Sequence, residues 1–386
     1  MYSRIRILFL SLVATLVVSN CTTAPPQQHA AVVHFHGVPG PEDIEIQSTG
    51  PGAPRLIISS QERREKLPKE PGRLYSLSLE KGVAAAPVKL ELGRDDCSFH
   101  PHGISLVTME NGLQRLYVIN HHASSDVSGC LRNSKNAAQP GNPPLVHSVE
   151  VYELQNDGAW RMRERLPDPN GFLTHPNDVA ALLNGFVYVT NAPSSQLGFV
   201  YEALIGHSSS SVVVFDGKEW HRVLIKPRIA NGIAADWERR RLYVAETGTK
   251  RIDVLALDRG GATAPEKIGE VNIGSGVDNL SWGPPTPERR TLWVAADPSL
   301  IAFARLGSAY SRNKNALSPS EVYSIKFQGD IGTPTREFCD DGSTISGASA
   351  AIPYDGNLFI SQVFYDFVLR VPLGYGTTKT QKGRKQ

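Results

Sequence analysis

The chain has 386 residues, a formal net charge of +2, and 40% apolar against 20% charged residues. That composition supplies an ordinary globular core, and the near-neutral balance gives no reason to expect nucleic acid as a partner. Thirty-four glycines and 27 prolines favour many turns and an all-β class.

Arg4 and Arg6 precede an apolar run from Ile7 to Val18. The run is too short to span a bilayer well and has the length of a signal-peptide core, so residues 1–20 are expected to be a leader. It stops at Cys21, as a bacterial lipoprotein signal does, although Asn20 stands where such signals usually carry a small residue. Two outcomes stay open: a periplasmic or outer-membrane protein attached to the membrane through a lipid on Cys21, or a plainly secreted one. Residues 21–40 read as a tether, 41–374 as the folded domain and 375–386 as a basic, flexible tail. Cys97, Cys130 and Cys339 remain, so at most one internal disulfide can form, and the pairing stays open. No C-x-x-C, H-E-x-x-H or G-x-S-x-G occurs, so the usual zinc and nucleophile-elbow signatures are absent.

One short run recurs six times along the domain, starting at Pro54, Arg115, Phe186, Arg241, Thr291 and Asn357. Each copy is rich in β-branched and aromatic residues and bounded by turn residues, which predicts a strand. A second strand-like run follows each copy: "RLYSLSL", "SVEVYEL", "SVVVFDG", "RIDVLAL", "LIAFARL" and "FVLRVPL". Another precedes it: "EDIEI", "HGISL", "NDVAAL", "NGIAAD", "DNLSWG" and "SGASAAI". A repeat of roughly fifty to seventy residues with three or four strands predicts one six-bladed β-propeller around a central channel.

In a propeller the first strand of every blade lines the channel, and all six start at one end. That phasing gathers Glu42, Asp43, His102, Asn177, Asp178, Asn231, Asp278, Asn279 and Ser346 at one rim. Hard oxygen donors in this number suit Ca2+, and without a cation the carboxylates would repel one another. Each middle strand runs back to the same rim, so His121 is expected beside His102, as a general base and its partner would be.

The segments "GPEDIEI", "FHPHGISL", "YVINHH", "HPNDVAAL", "ANGIA", "VDNLSW" and "ASAAIPYDGNLFISQVF", in that order, resemble the serum paraoxonase (arylesterase) family from about Glu42 to Leu373. The resemblance implies a six-bladed propeller that hydrolyses lactones and aryl esters and holds two Ca2+ ions. Matched motif by motif, it implies a catalytic ion on Glu42, Asn177, Asn231, Asp278 and Asn279. A deeper, structural ion falls to Asp43, Asp178 and the carbonyl of Ile104, and a histidine dyad to His102 and His121. The sequence also departs from the family. No Cys lies near Val33 to close the ring by a disulfide, so closure must rest on strand pairing and packing. Ala123 to Pro144 reads as an insertion, Ala192 and Pro193 replace a His-containing segment, and Asp297 stands where the family often has a His. A non-catalytic, calcium-stabilised propeller that binds an envelope ligand or partner, and a sugar-lactone hydrolase, are the competing functions.

Overall fold

Short β-branched runs separated by turns satisfy their backbone groups only by pairing with neighbours. Here they pair into six four-stranded antiparallel sheets, five of them built from strands that follow one another in the chain and the sixth from the last three strands and the first. The computed structural model describes residues 32–374, apart from 64–70, 81–84, 94–98, 122–146, 194–201, 203–207, 224, 258–264, 285–290 and 310–315. The leader, Cys21, Cys97, Cys130, the expected insertion and the basic tail lie outside the described residues. Cys339 is disulfide-bonded. No described helix is long and apolar enough to cross a membrane.

The inner strands are Pro41–Gln47, Pro101–Thr108, Pro176–Ala181, Ala230–Asp236, Gly276–Trp282 and Ala348–Tyr354. Each touches the inner strand of the blade on either side, and the sixth returns to the first, which makes the ring. The apolar core is divided the same way. It falls into six buried clusters, one in each cleft between neighbouring blades, such as Ile119, Val149, Val179, Val189 and Val213 between the second and third. Burial of these faces against adjacent blades, rather than within one sheet, holds the ring together.

Three expectations change on the structure. Val33–His36, read as tether, is a strand; it completes the sixth sheet by pairing with Phe367–Pro372, Val33 opposite Arg370 and His36 opposite Phe367. The run "LIAFARL" is not the third strand of the fifth blade but part of a helix, Leu300–Ala309. Ser299 caps it, its Oγ accepting from Ala302 N–H (3.2 Å). Leu300 lies on Gly276, and Phe303 and Leu306 on Gly347, so the apolar residues serve a helix face. Ser320–Gln328 takes the vacant strand position. Ser346 precedes its inner strand and bonds Ser318, leaving Ser349 at the rim.

Two glycines allow the inner strands to approach. A Cβ on Gly103 would lie 2.6 Å from Asp178 Cα, and one on Gly232 would lie 2.5 Å from Asp278 O and 2.6 Å from Asn279 Cα. These neighbours are backbone and cannot swing away. Gly232→Ala is therefore expected to destabilise the protein by about 1–3 kcal/mol or more, the usual cost of overpacking. Gly269→Ala, whose new Cβ would meet nothing nearer than 3.7 Å, should be close to neutral. Urea denaturation midpoints of the two variants check this, and equal midpoints would contradict the close approach.

Candidate active site

All six inner strands slip register against their neighbours at the same point. The breaks fall between Pro41 and Ile44, Pro101 and Ile104, Pro176 and Val179, Ala230 and Ile233, Val277 and Leu280, and Ala348 and Ala351. A bulge suspends the in–out alternation of a strand and re-aims the residues inside it. The residues inside are Glu42–Asp43, His102–Gly103, Asn177–Asp178, Asn231–Gly232, Asp278–Asn279 and Ser349–Ala350. Every side chain expected to hold a cation, and His102, thus sits in a bulge at one level of the channel.

The first group surrounds Glu42. Its Oε1 accepts from Asn279 Nδ2 (3.1 Å) and lies 3.3 Å from His102 Nε2. The Glu42 carbonyl accepts from Ser349 and Ser361, which fixes the backbone behind it. Asn231 Nδ2 donates to Thr247 Oγ1 (3.2 Å), leaving its oxygen facing away. Four buried oxygens then have no hydrogen-bond partner: Glu42 Oε2, Asn177 Oδ1, Asn231 Oδ1 and Asn279 Oδ1. Buried polar atoms are ordinarily satisfied, so four orphans on inner strands around one channel call for a ligand. Oxygen donors of this kind fit a hard cation such as Ca2+. Among the described residues no three His, Cys, Asp or Glu side chains form a metal-binding group by themselves. The set here is mixed, with Glu42 and Asp278 as carboxylates and asparagines supplying the other oxygens.

The second group is Asp43 and Asp178. Asp43 accepts from its neighbour Ile44 N–H (2.8 Å) and from Ile104 N–H of the next blade (2.7 Å). Asp178 repeats this with Val179 N–H and Ile233 N–H, both at 2.7 Å. Each carboxylate staples two inner strands together. Ile104 meets Asp43 through its N–H; the implied ligand is its carbonyl. Burial drives the carboxyls of Asp43, Asp178, Asp278 and Asp297 well above their ordinary range, and neighbouring carboxylates add to this for the first three. Burial raises Glu42 too, but His102 and Arg63 reverse the balance and hold it below.

His102 and His121 meet, with Nδ1 of the first 2.9 Å from Nε2 of the second. Sequence reasoning missed two more imidazoles beside them. His121 Nδ1 lies 2.9 Å from His147 Nδ1, and the His175 ring is 5.7 Å from His121 and 5.9 Å from His147. Burial lowers His121 well below its usual value and His147 to about 4, and the other histidines push in the same direction. Arg63 was missed as well. It donates to Gly40 O (3.0 Å), its Nη2 is buried without a partner, and its charge acts on Glu42 and Asp278. The opposite ends of the inner strands line a separate cavity of about 760 Å3, whose walls include Glu45, Asp236, Trp237, Trp282 and Tyr354 and none of the rim residues.

The arylesterase family profile matches residues 142–369, more than half the chain. The chain belongs to the arylesterase family. This arylesterase is 24% identical over 330 residues to serum paraoxonase/arylesterase 2 of Gallus gallus, covering 84% of each chain. It is 26% identical over 338 residues to serum paraoxonase/arylesterase 1 of Homo sapiens, again covering 84% of each. Among solved structures, a gluconolactonase from Xanthomonas campestris aligns over 92% of this chain and 96% of its own at 15% identity and a TM-score of 0.50, which shows a shared fold. The family member described here is, like its relatives, a hydrolase of ester bonds.

The buried aspartates make stability depend on pH. In the cation-free arylesterase Asp43, Asp178 and Asp278 titrate above the unfolded value of 3.8. The folded state therefore holds more protons than the unfolded state above that pH. Their contribution is present at low pH and lost as pH rises. A Ca2+ ion held by the same oxygens would compete with those protons. The rise in melting temperature on replacing EGTA by Ca2+ should therefore be small near pH 5 and larger near pH 8. Differential scanning calorimetry measures it; no rise at either pH would remove the cation from the account.

Proposed function

We propose that this chain is a Ca2+-dependent hydrolase of lactones and aryl esters, working through His102 and His121. The observation that supports the reading best is the set of four orphaned oxygens on Glu42, Asn177, Asn231 and Asn279, with Glu42 3.3 Å from the His102 of the imidazole pair. In this reading Glu42, Asn177, Asn231, Asp278 and Asn279 hold the catalytic ion, and Asp43 and Asp178, with the Ile104 carbonyl, hold a second, structural one. The bound cation supplies Lewis-acid stabilisation of the negative charge that develops on the ester carbonyl oxygen.

The rest of the chemistry falls to the chain's own residues. His102 Nδ1 is engaged by His121, which leaves Nε2 as the nitrogen facing the channel. Nε2 takes a proton from a water molecule, and the oxygen of that water attacks the ester carbonyl carbon. As the C–O bond to the leaving oxygen breaks, Nε2 returns the proton to that oxygen, giving a carboxylic acid and an alcohol or, from a lactone, one hydroxy acid. His121 holds the ring in place and shares the positive charge while His102 is protonated. The Glu42 carboxylate, 3.3 Å away, favours that protonated form. In this reading the activity lies outside the cytoplasm, on the strength of the leader expected in the sequence, and a disulfide at Cys339 suits an oxidising compartment.

His102→Gln is expected to lower turnover on a lactone by about two to four orders of magnitude, the range for loss of a general base. Ca2+ binding by calorimetry should survive, because His102 is not one of the proposed ligands. Asp278→Ala should abolish turnover in a folded protein, whereas Asp178→Ala should chiefly lower the melting temperature because it removes an interblade staple. Unchanged turnover in His102→Gln removes the histidine base. A Ca2+-loaded parent inert on every lactone and aryl ester tested would favour a binding propeller instead.

A further inference from the structure

The channel has a second tier of side chains, just beyond the bulges on the rim side. Each blade supplies one residue to it, from the rim end of its second strand. Gln61, His121, Ala192, Thr247 and Val363 each donate their N–H to the carbonyl of the residue opposite. Asp297, opposite Gly276, is the sixth. Two of these positions show which way the tier faces. His121 reaches the first bulge residue of its own blade, His102, at 2.9 Å, and Thr247 reaches Asn231 at 3.2 Å. Asp297 holds the same place in the fifth blade, whose first bulge residue is Asp278, and its charge is felt by the Asp278 carboxyl.

The other polar members of the tier are committed. Gln61 Nε2 lies 3.0 Å from His100 Nδ1, and His121 is held between His102 and His147. Thr247 Oγ1 donates to Val277 O (2.6 Å) while accepting from Asn231. Ala192 and Val363 are apolar. Asp297 differs: it is 3% exposed, and within the tier its Oδ1 is the one buried polar atom without a hydrogen-bond partner. No structural duty accounts for it. An aspartate ahead of a helix commonly caps it, but Ser299 caps Leu300–Ala309. Asp43 and Asp178 staple neighbouring blades; among the described residues Asp297 meets no such N–H. A buried carboxyl oxygen left unmatched is costly, and a donor from outside the chain would match it.

We propose that Asp297 is a specificity-determining residue: its Oδ1 accepts a hydrogen bond from a hydroxyl of the substrate, so that hydroxylated lactones are preferred to their unsubstituted counterparts. The proposal rests on the lactone-hydrolase reading and names the substrate class within it. A carboxyl group keeps an acceptor oxygen whether or not it is ionised, so the contact does not depend on its charge. A positively charged donor fits less well, because Arg63 stands near enough to act on Asp278 and the proposed cation adds to the same field. A hydroxyl brings a donor without charge and is small enough to reach a buried partner.

Two lactones that differ by one hydroxyl test this: γ-butyrolactone against its α- and β-hydroxy derivatives, with the Ca2+-loaded full chain. The parent should favour at least one hydroxylated lactone in kcat/KM by roughly 10- to 100-fold, the worth of one hydrogen bond to a carboxylate. Asp297→Leu has nearly the side-chain shape of the aspartate and cannot accept, so the ratio should fall towards one. Asp297→Asn keeps an acceptor oxygen and should keep most of the preference. No preference in the parent, or the same ratio in parent and Asp297→Leu, overturns the proposal and leaves the lactonase reading standing.

Two further measurements separate this role from others. Ca2+ affinity by calorimetry should be unchanged in Asp297→Leu; a marked loss makes Asp297 a cation ligand and overturns the proposal. The melting temperature should be at or above the parent's, because an unmatched polar group is replaced by an apolar one. A clear fall in both Asp297→Leu and Asp297→Ala marks structural support and overturns it too. Lactams resist hydrolysis, so binding of 2-pyrrolidinone and 3-hydroxy-2-pyrrolidinone reads recognition apart from turnover. A parent that hydrolyses no lactone but binds the hydroxylated lactam better, through Asp297, keeps the recognition site and refutes the proposed function instead.

Discussion

Five carboxylates, those of Glu42, Asp43, Asp178, Asp278 and Asp297, are carried into one narrow channel where each is almost fully shielded from water. Burying an ionised carboxylate costs several kcal/mol unless it is matched, while a whole domain is stable by only about 5–15 kcal/mol. Two kinds of matching are built in. Asp43 and Asp178 spend their oxygens on backbone N–H groups of adjacent blades, so the charge problem is turned into a seam between sheets. Glu42 and its amide neighbours are left with oxygens that no described residue answers, and a cation is the simplest group that would.

The scaffold is arranged around that imbalance. A regular strand shows only alternate residues to the channel; the six bulges let successive residues be re-aimed at one level. The second residue of the pair is Gly103 in the second blade and Gly232 in the fourth, where the backbone of the next blade passes too close for a side chain. The ring is thus asymmetric in chemistry although it repeats in architecture. The paired imidazoles of His102 and His121 come from the second blade, and the two staples leave the first and third. The cavity at the far end of the inner strands contains none of the rim side chains, although Ile104, whose N–H meets Asp43, borders it.

Much of this was legible in the sequence because the two periodicities coincide. The six middle strands announce themselves by β-branched runs, and once they are in phase the polar residues ahead of them fall at one rim. The same argument brought His121 to His102. It was not carried to the third strands, although the same reversal places the start of His147–Leu154 opposite the end of the strand bearing His121, with His121 and His147 in register. That was the signal for His147. "LIAFARL" was misread because a seven-residue run with six apolar positions fits a strand or two helical turns equally well. Only the Pro298–Ser299 pair ahead of it, a helix start, distinguishes them. Val33–His36 was not marked by its own residues: four residues with alternate ones exposed and two of them histidine look polar, and only the family resemblance pointed to strand closure near Val33. The bulges left no signature either, since a bulge is a property of the pairing.

The Val33–His36 strand also brings the two ends of the folded domain side by side, in one sheet, on the outer edge of one blade. No covalent order of the blades is then privileged by the architecture. Joining residue 374 to residue 32 with a short linker and opening the chain at a turn between two other blades would leave every interblade cleft and all six bulges intact, as circular permutation requires. Such a rearranged chain would close its ring by an ordinary hairpin connection, and the last sheet would no longer have to wait for residues made at opposite ends of synthesis to find each other.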